Sequence, residues 1–153
     1  MHKIFSNRVF ITTSLITFLF LIFFLTFASP IQAANPPGRV YVNQAVVDGA
    51  DDGSSWPNAY ADLQDALSDS SAVEIWVASG VYTPGAIVSN TFELRDDIAI
   101  YGGFAATETQ LSERDWEANL TVLSGDIDGD DTYYDSSGII TDTTNITGSN
   151  SYH

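Results

Sequence analysis

The first apolar block of the chain shows neither helical nor strand periodicity. Val9 to Ala28 is largely hydrocarbon, its first half diluted by Thr12, Thr13, Ser14 and Thr17. Lys3 and Arg8 precede it, and Pro30 followed by the small residues of SPIQAA closes it. A positive start, an apolar stretch and a small-residue exit are the layout of an export signal. Residues 1–34 are therefore expected to be a signal peptide cut after Ala33 or Ala34, leaving no membrane span. The rival reading is an uncleaved anchor, because twenty largely apolar residues could cross a bilayer.

After residue 34 the pattern changes to short elements. NPPGR, 35–39, reads as a flexible lead-in. VYVNQAVV, 40–47, alternates and is rich in β-branched residues, so it predicts a first strand. DGADDGSSW, 48–56, has turn chemistry. Ala59, Leu63, Ala66 and Leu67 then fall on one helical face, with Asp62, Asp65 and Asp69 outward and Asn58 as N-cap. That stripe is narrow and must lie against something larger.

From Val73 the chain reads as strands punctuated by glycine. VEIWVASG, DIAIYGG and TVLSG each run from apolar residues into Gly80, Gly102–Gly103 and Gly125. The glycine intervals, 80 to 102 and 103 to 125, are both 22 positions. VYT before Pro84–Gly85 and TFEL, 91–94, supply secondary strands. A fixed interval of this length predicts stacked coils of a solenoid. Periodicity by itself leaves an antiparallel β-sandwich open.

Charge narrows the partners. All twenty acidic residues follow residue 34, against Arg39, Arg95 and Arg114, an excess of seventeen negative charges. Such a surface repels nucleic acid and anionic lipid and favours divalent cations or neutral surfaces. There is no cysteine, and the histidines are His2 and His153. Thiol catalysis, cysteine-ligated zinc, a multi-histidine zinc site and a histidine-dependent triad lack their residues.

The strings DGSSWPNAYADLQDAL, EIWVASGVYTP, IAIYGGFAATETQLSERDWEANLTVLSGDIDGDD and GSNSYH resemble the N-terminal region of secreted bacterial right-handed parallel β-helix proteins of the pectin-lyase-like class. The resemblance runs from about Val40 to the last residue. It implies a mainly β fold in which residues 40–153 form the N-terminal cap and first rungs of a parallel β-helix, with one α-helix closing the end. SYH then resembles the start of a further strand, so the chain is expected to be an incomplete fragment, truncated at its C-terminus. Further rungs or another chain would cover the open edge.

SGDIDGDDTYYDSSG, 124–138, concentrates the candidate chemistry. Asp126, Asp128 and Asp130 alternate and could aim three carboxylates at one calcium ion, with carbonyls from the turn at Gly129. Glycine stands fourth and no glutamate stands twelfth, so the loop is not an EF-hand. A solvated acidic turn is the competing reading. Tyr133 and Tyr134, beside the loop, are the candidate exposed pair for stacking on a polysaccharide or cell-surface glycan. Lyases of the resembling class pair calcium carboxylates with a basic residue. Here Arg95 in ELRDD is expected to pair with Asp96, Asp97 or a neighbouring rung, and Arg114 in SERDWE with Glu113 or Glu117. The expected function is thus an exported structural, adhesive or glycan-binding module, secreted or on the bacterial surface, with no active site of its own. The alternatives are the N-terminal part of a polysaccharide lyase or glycoside hydrolase whose catalytic rungs lie elsewhere, and a membrane-anchored acidic module.

Overall fold

The computed structural model describes residues 35–132, 140 and 142–151, within the second of the two units into which the chain divides, Asn35–His153. The expected signal peptide and the candidate stacking pair Tyr133 and Tyr134 lie outside the described residues. Five strands are present: β1 (Arg39–Val42), β2 (Glu74–Ala78), β3 (Gly80–Tyr82), β4 (Ala99–Phe104) and β5 (Thr121–Leu123). One α-helix, α1 (Leu63–Ser68), and 3-10 turns at Trp56–Asn58, Leu111–Glu113 and Thr143–Asn145 complete the elements.

The strands form two small parallel sheets, β1-β2-β4 and β3-β5. Side chains alternate across the larger sheet, and both faces are covered. Val40, Val42, Ile75 and Val77 bury one face against Leu63, Ala66 and Leu67 of α1. Tyr41, Trp76, Ala78 and Phe104 bury the other against Trp56 and Ala59. A parallel sheet covered on both sides explains why EIWVA is apolar at successive positions.

The expectation of a right-handed parallel β-helix is overturned. The strands do pair in parallel, but at no fixed interval: facing residues lie 35 positions apart in the first pair (39 to 74), 25 in the second (74 to 99) and 41 in the third (80 to 121). The 22-residue glycine spacing is not a structural repeat. Among the described residues there are two small sheets and little helix, with no stack of coils. TFEL supplies no strand. The Gln64 amide donates to the carbonyls of Pro84 and Thr91, both at 2.8 Å, so a side chain occupies backbone acceptors that a ladder would have used. Asn150 bridges antiparallel to Asp126, and of SYH, read as the start of a further strand, only Ser151 lies among the described residues.

Element boundaries shift for local reasons. The first strand ends at Val42, and Asn43 folds its own side chain onto the Ala45 N–H at 3.0 Å. Asn58 accepts from the Ala50 N–H at 3.1 Å and holds the preceding turn, whereas Asp62 caps α1 by accepting from Gln64 N–H. The predicted helical face is nevertheless the buried one: Ala59, Leu63, Ala66 and Leu67 are all in the core.

One irregularity positions later residues. Trp76 faces Tyr101 but Ala78 faces Phe104, so β4 carries an extra residue at Gly102–Gly103. Gly103 adopts φ +93°, a conformation glycine tolerates and other residues resist.

Candidate metal centre

Residues 124–132 turn back on themselves around one carboxylate. The Asp126 side chain accepts from the backbone N–H groups of Gly129 at 2.7 Å, Asp130 at 3.3 Å and Asp131 at 3.2 Å. Gly129, at φ +73°, supplies the left-handed step of the turn. This nest of N–H groups satisfies the Asp126 side chain where it is buried, at 5% exposure.

The segment 145–151 returns along the loop and supplies most of the remaining donors. Ile127 N–H donates to the Ser149 carbonyl and Ser151 N–H to the Gly125 carbonyl. Asp131 accepts from Thr147 N–H at 2.6 Å, and Asp128 accepts from Ser149 N–H at 2.9 Å. The Thr147 hydroxyl donates to the Asp130 carbonyl at 2.8 Å. Acidic loop and return segment are one hydrogen-bonded unit.

Within it, Asp126, Asp130 and Asp131 each bring a carboxylate oxygen to within 4.8 Å of the others, so this cluster could hold a metal ion. Asp126 and Asp131 are buried and Asp130 is exposed. Of the three aspartates singled out from the sequence, Asp126 and Asp130 belong to this trio. Asp128 lies beside Asp130 across Gly148, where an added Cβ would stand 2.5 Å from both Asp130 oxygens and 2.6 Å from Asp128 Oδ2. Asp131 is the member that alternation misses: side chains alternate only on extended backbone, and here the Asp126 turn rotates Asp131 inward. The signal available in the sequence was a carboxylate followed three positions later by glycine.

Electrostatics separates the two exposed carboxylates. The Ser149 N–H holds Asp128 below the ordinary carboxylate value. Local loss of water pushes Asp130 up, with the neighbouring charges of Asp128 and Asp126 adding to it and the Thr147 hydroxyl opposing it. A cation bound here would relieve that repulsion.

The arginines do not serve this loop. Arg39 pairs with Glu74 at 2.8 Å and Arg95 lies 3.9 Å from Asp97. Of the expected partners of Arg95, Asp97 is found; its guanidinium also donates to the Ala72 carbonyl at 2.8 Å. Arg114 makes no ion pair among the described residues. Glu113 instead accepts from the Thr109 and Gln110 N–H groups, at 2.7 and 2.9 Å.

No family model matches the chain, and no curated protein or solved structure does either. The function must therefore be argued from these residues.

Proposed function

We propose that this chain is an exported structural, adhesive or glycan-binding module with no active site of its own, and that its acidic loop takes one calcium ion on Asp126, Asp130 and Asp131. The observation carrying the metal reading is the convergence of three carboxylate oxygens within 4.8 Å, two of the residues being buried. Calcium bonds oxygen at about 2.3–2.6 Å, so oxygens on opposite sides of one ion stand roughly 4.6–5.2 Å apart. Magnesium, at about 2.0–2.1 Å, would demand a tighter set and retains its waters more strongly. Export is supported by the layout of residues 1–34, and the lack of cysteine, with His153 the one histidine after residue 34, leaves no thiol or histidine-triad chemistry to the exported part.

Thermal unfolding of the full chain with calcium or with chelator tests the loop. Calcium is expected to raise the midpoint, and the rise is expected to vanish in the double variant Asp126→Asn, Asp131→Asn. An unchanged midpoint in the unsubstituted chain at millimolar calcium would return the loop to a solvated acidic turn.

A further inference from the structure

We infer that Trp116 and Arg114, the guanidinium backed by the Tyr101 ring, form a stacking platform for an uncharged pyranose ring of a glycan. The site rests on the glycan-binding part of the reading above and is independent of the calcium loop. Three observations carry it.

The first is that Trp116 is exposed yet held. Of three tryptophans, Trp56 and Trp76 are in the core, whereas Trp116 is 62% exposed. Its backbone is pressed onto the β4 bulge: a Cβ on Gly103 would lie 3.0 Å from both the nitrogen and the Cα of Trp116. Asp115 N–H donates to the Gly103 carbonyl at 2.8 Å, and the Asp115 carboxylate accepts from Glu117 and Ala118 N–H. An indole on so braced a turn costs little ordering entropy when a ligand settles on it.

The second is the guanidinium. Arg114 stands 5.2 Å from the Tyr101 ring centroid and 5.5 Å from that of Trp116. In a unit carrying seventeen excess negative charges it has no carboxylate partner among the described residues, because Glu113 and Asp115 are spent on local turns. Its donors are left for an outside acceptor.

The third is the chemistry around it. A groove of about 560 Å³ runs along Gln110, Leu111, Ser112, Arg114 and Trp116, a volume in the range of ligand clefts. The chain there alternates donors with acids: Glu113, Asp115 and Glu117 flank Arg114 and Trp116. A sugar hydroxyl accepts from the guanidinium while the C–H face of a neutral pyranose covers the indole. The seventeen excess negative charges of the unit repel an anionic ligand and an acidic second copy of this chain alike.

The test titrates the full chain with cellohexaose, mannohexaose and chitohexaose as uncharged probes and a hyaluronan hexasaccharide as a carboxylated one. Calorimetry gives affinity, and the change in indole emission, read as the difference from Trp116→Phe, isolates Trp116 from the buried Trp56 and Trp76. At least one uncharged probe is expected to bind and shift the emission. Trp116→Ala should weaken that binding at least about tenfold, Arg114→Gln by about threefold or more, and Trp116→Phe should restore part of the loss. Tighter binding of the carboxylated probe overturns the ligand class. Glycan binding unaffected by Trp116→Ala overturns the platform and leaves the module reading standing. No response to any uncharged probe up to about ten millimolar overturns the platform, and calcium-dependent melting then judges the loop separately.

Discussion

The guanidinium of Arg39 lies over the Trp76 indole, 3.8 Å from its centroid, and both residues use the same carboxylate oxygen. Glu74 Oε1 accepts from Arg39 Nε at 2.8 Å and from Trp76 Nε1 at 2.6 Å. The β1-β2 register places Arg39 opposite Glu74, so one acid neutralises a cation and satisfies a buried indole N–H at once. The two partners are not equivalent. Glu74→Ala strands a fully buried Trp76 donor and should cost about 2–3 kcal/mol. Arg39→Ala leaves that hydrogen bond intact and removes a partly exposed pair and its contact with the ring, so about 1 kcal/mol is expected. Urea unfolding of the two variants checks the order; equal losses would mean that the indole N–H finds water.

The bulge in β4 is the joint between core and surface. Phe104 beyond it stacks on Trp76, centroids 4.5 Å apart and planes 12° from parallel, while Gly103 within it carries the Trp116 segment. Gly103→Ala must adopt φ +93° and crowd the Trp116 backbone. A loss of about 1–2 kcal/mol or more is expected, since strain and contact act together. The emission of Trp116 should also respond more readily to soluble quenchers. Unchanged quenching would show that the bulge does not brace the indole.

Much of this core was legible because burial leaves periodic marks: the Ala59, Leu63, Ala66 and Leu67 face and the apolar run of β2 needed no tertiary knowledge. Parallel pairing was expected from the glycine interval together with the resemblance, and that interval matches no strand register. The coil-by-coil stack was misread because the recurring glycines fall at the start of β3, inside β4 and beyond β5, and do not say which strand lies beside which. Gly80 begins β3, and its partner Thr121 is 41 positions on (80 to 121). In the acidic loop, residue types revealed a carboxylate cluster that could hold a metal ion, but membership depended on a turn made by Asp126 and on donors from Thr147 and Ser149, some twenty positions later. Such donors leave no local pattern. Arg114 shows the same limit: proximity in sequence to Glu113 and Glu117 favoured pairing, and the capping of Thr109 and Gln110 took Glu113 away.

Two glycines of the loop make a matched pair of probes. Gly129 and Gly148 both have left-handed backbone, φ +73° and +58°, so alanine strains each similarly, by about 1 kcal/mol. Space distinguishes them. A Cβ at 129 meets nothing within 4 Å, whereas one at 148 drives into the Asp128 and Asp130 carboxylates. Gly129→Ala should keep the calcium-induced rise in the melting midpoint and Gly148→Ala should lose most of it. If both variants keep the rise in full, the ion does not need Asp130 where it stands.

Tyr60 and Asp69 set the last expectation, a pH dependence with a definite sign at each end. The Tyr60 hydroxyl donates to Asp69 Oδ2 at 3.3 Å, and Asp69 Oδ1 accepts from the Ser71 N–H and hydroxyl at 2.8 and 2.7 Å. Loss of water raises the phenol above its ordinary value of 10.0, and the Asp69 charge adds to it. The Ser71 hydroxyl, above all, holds Asp69 below its ordinary 3.8. The neutral phenol is the form the fold prefers, so its contribution is full below pH 10.0 and is lost as pH rises through the raised value. The carboxylate is the preferred form of Asp69, so its contribution is full above pH 3.8 and is lost as pH falls through the lowered value. Asp69→Asn should flatten the acid limb and bring the Tyr60 titration downward, though not fully to 10.0, because the desolvation remains. Phenolate absorbance, read as the difference from a Tyr60→Phe variant, isolates this one among seven tyrosines. A Tyr60 titration that does not move in Asp69→Asn would show that burial alone raises it and that the contact with Asp69 is energetically idle.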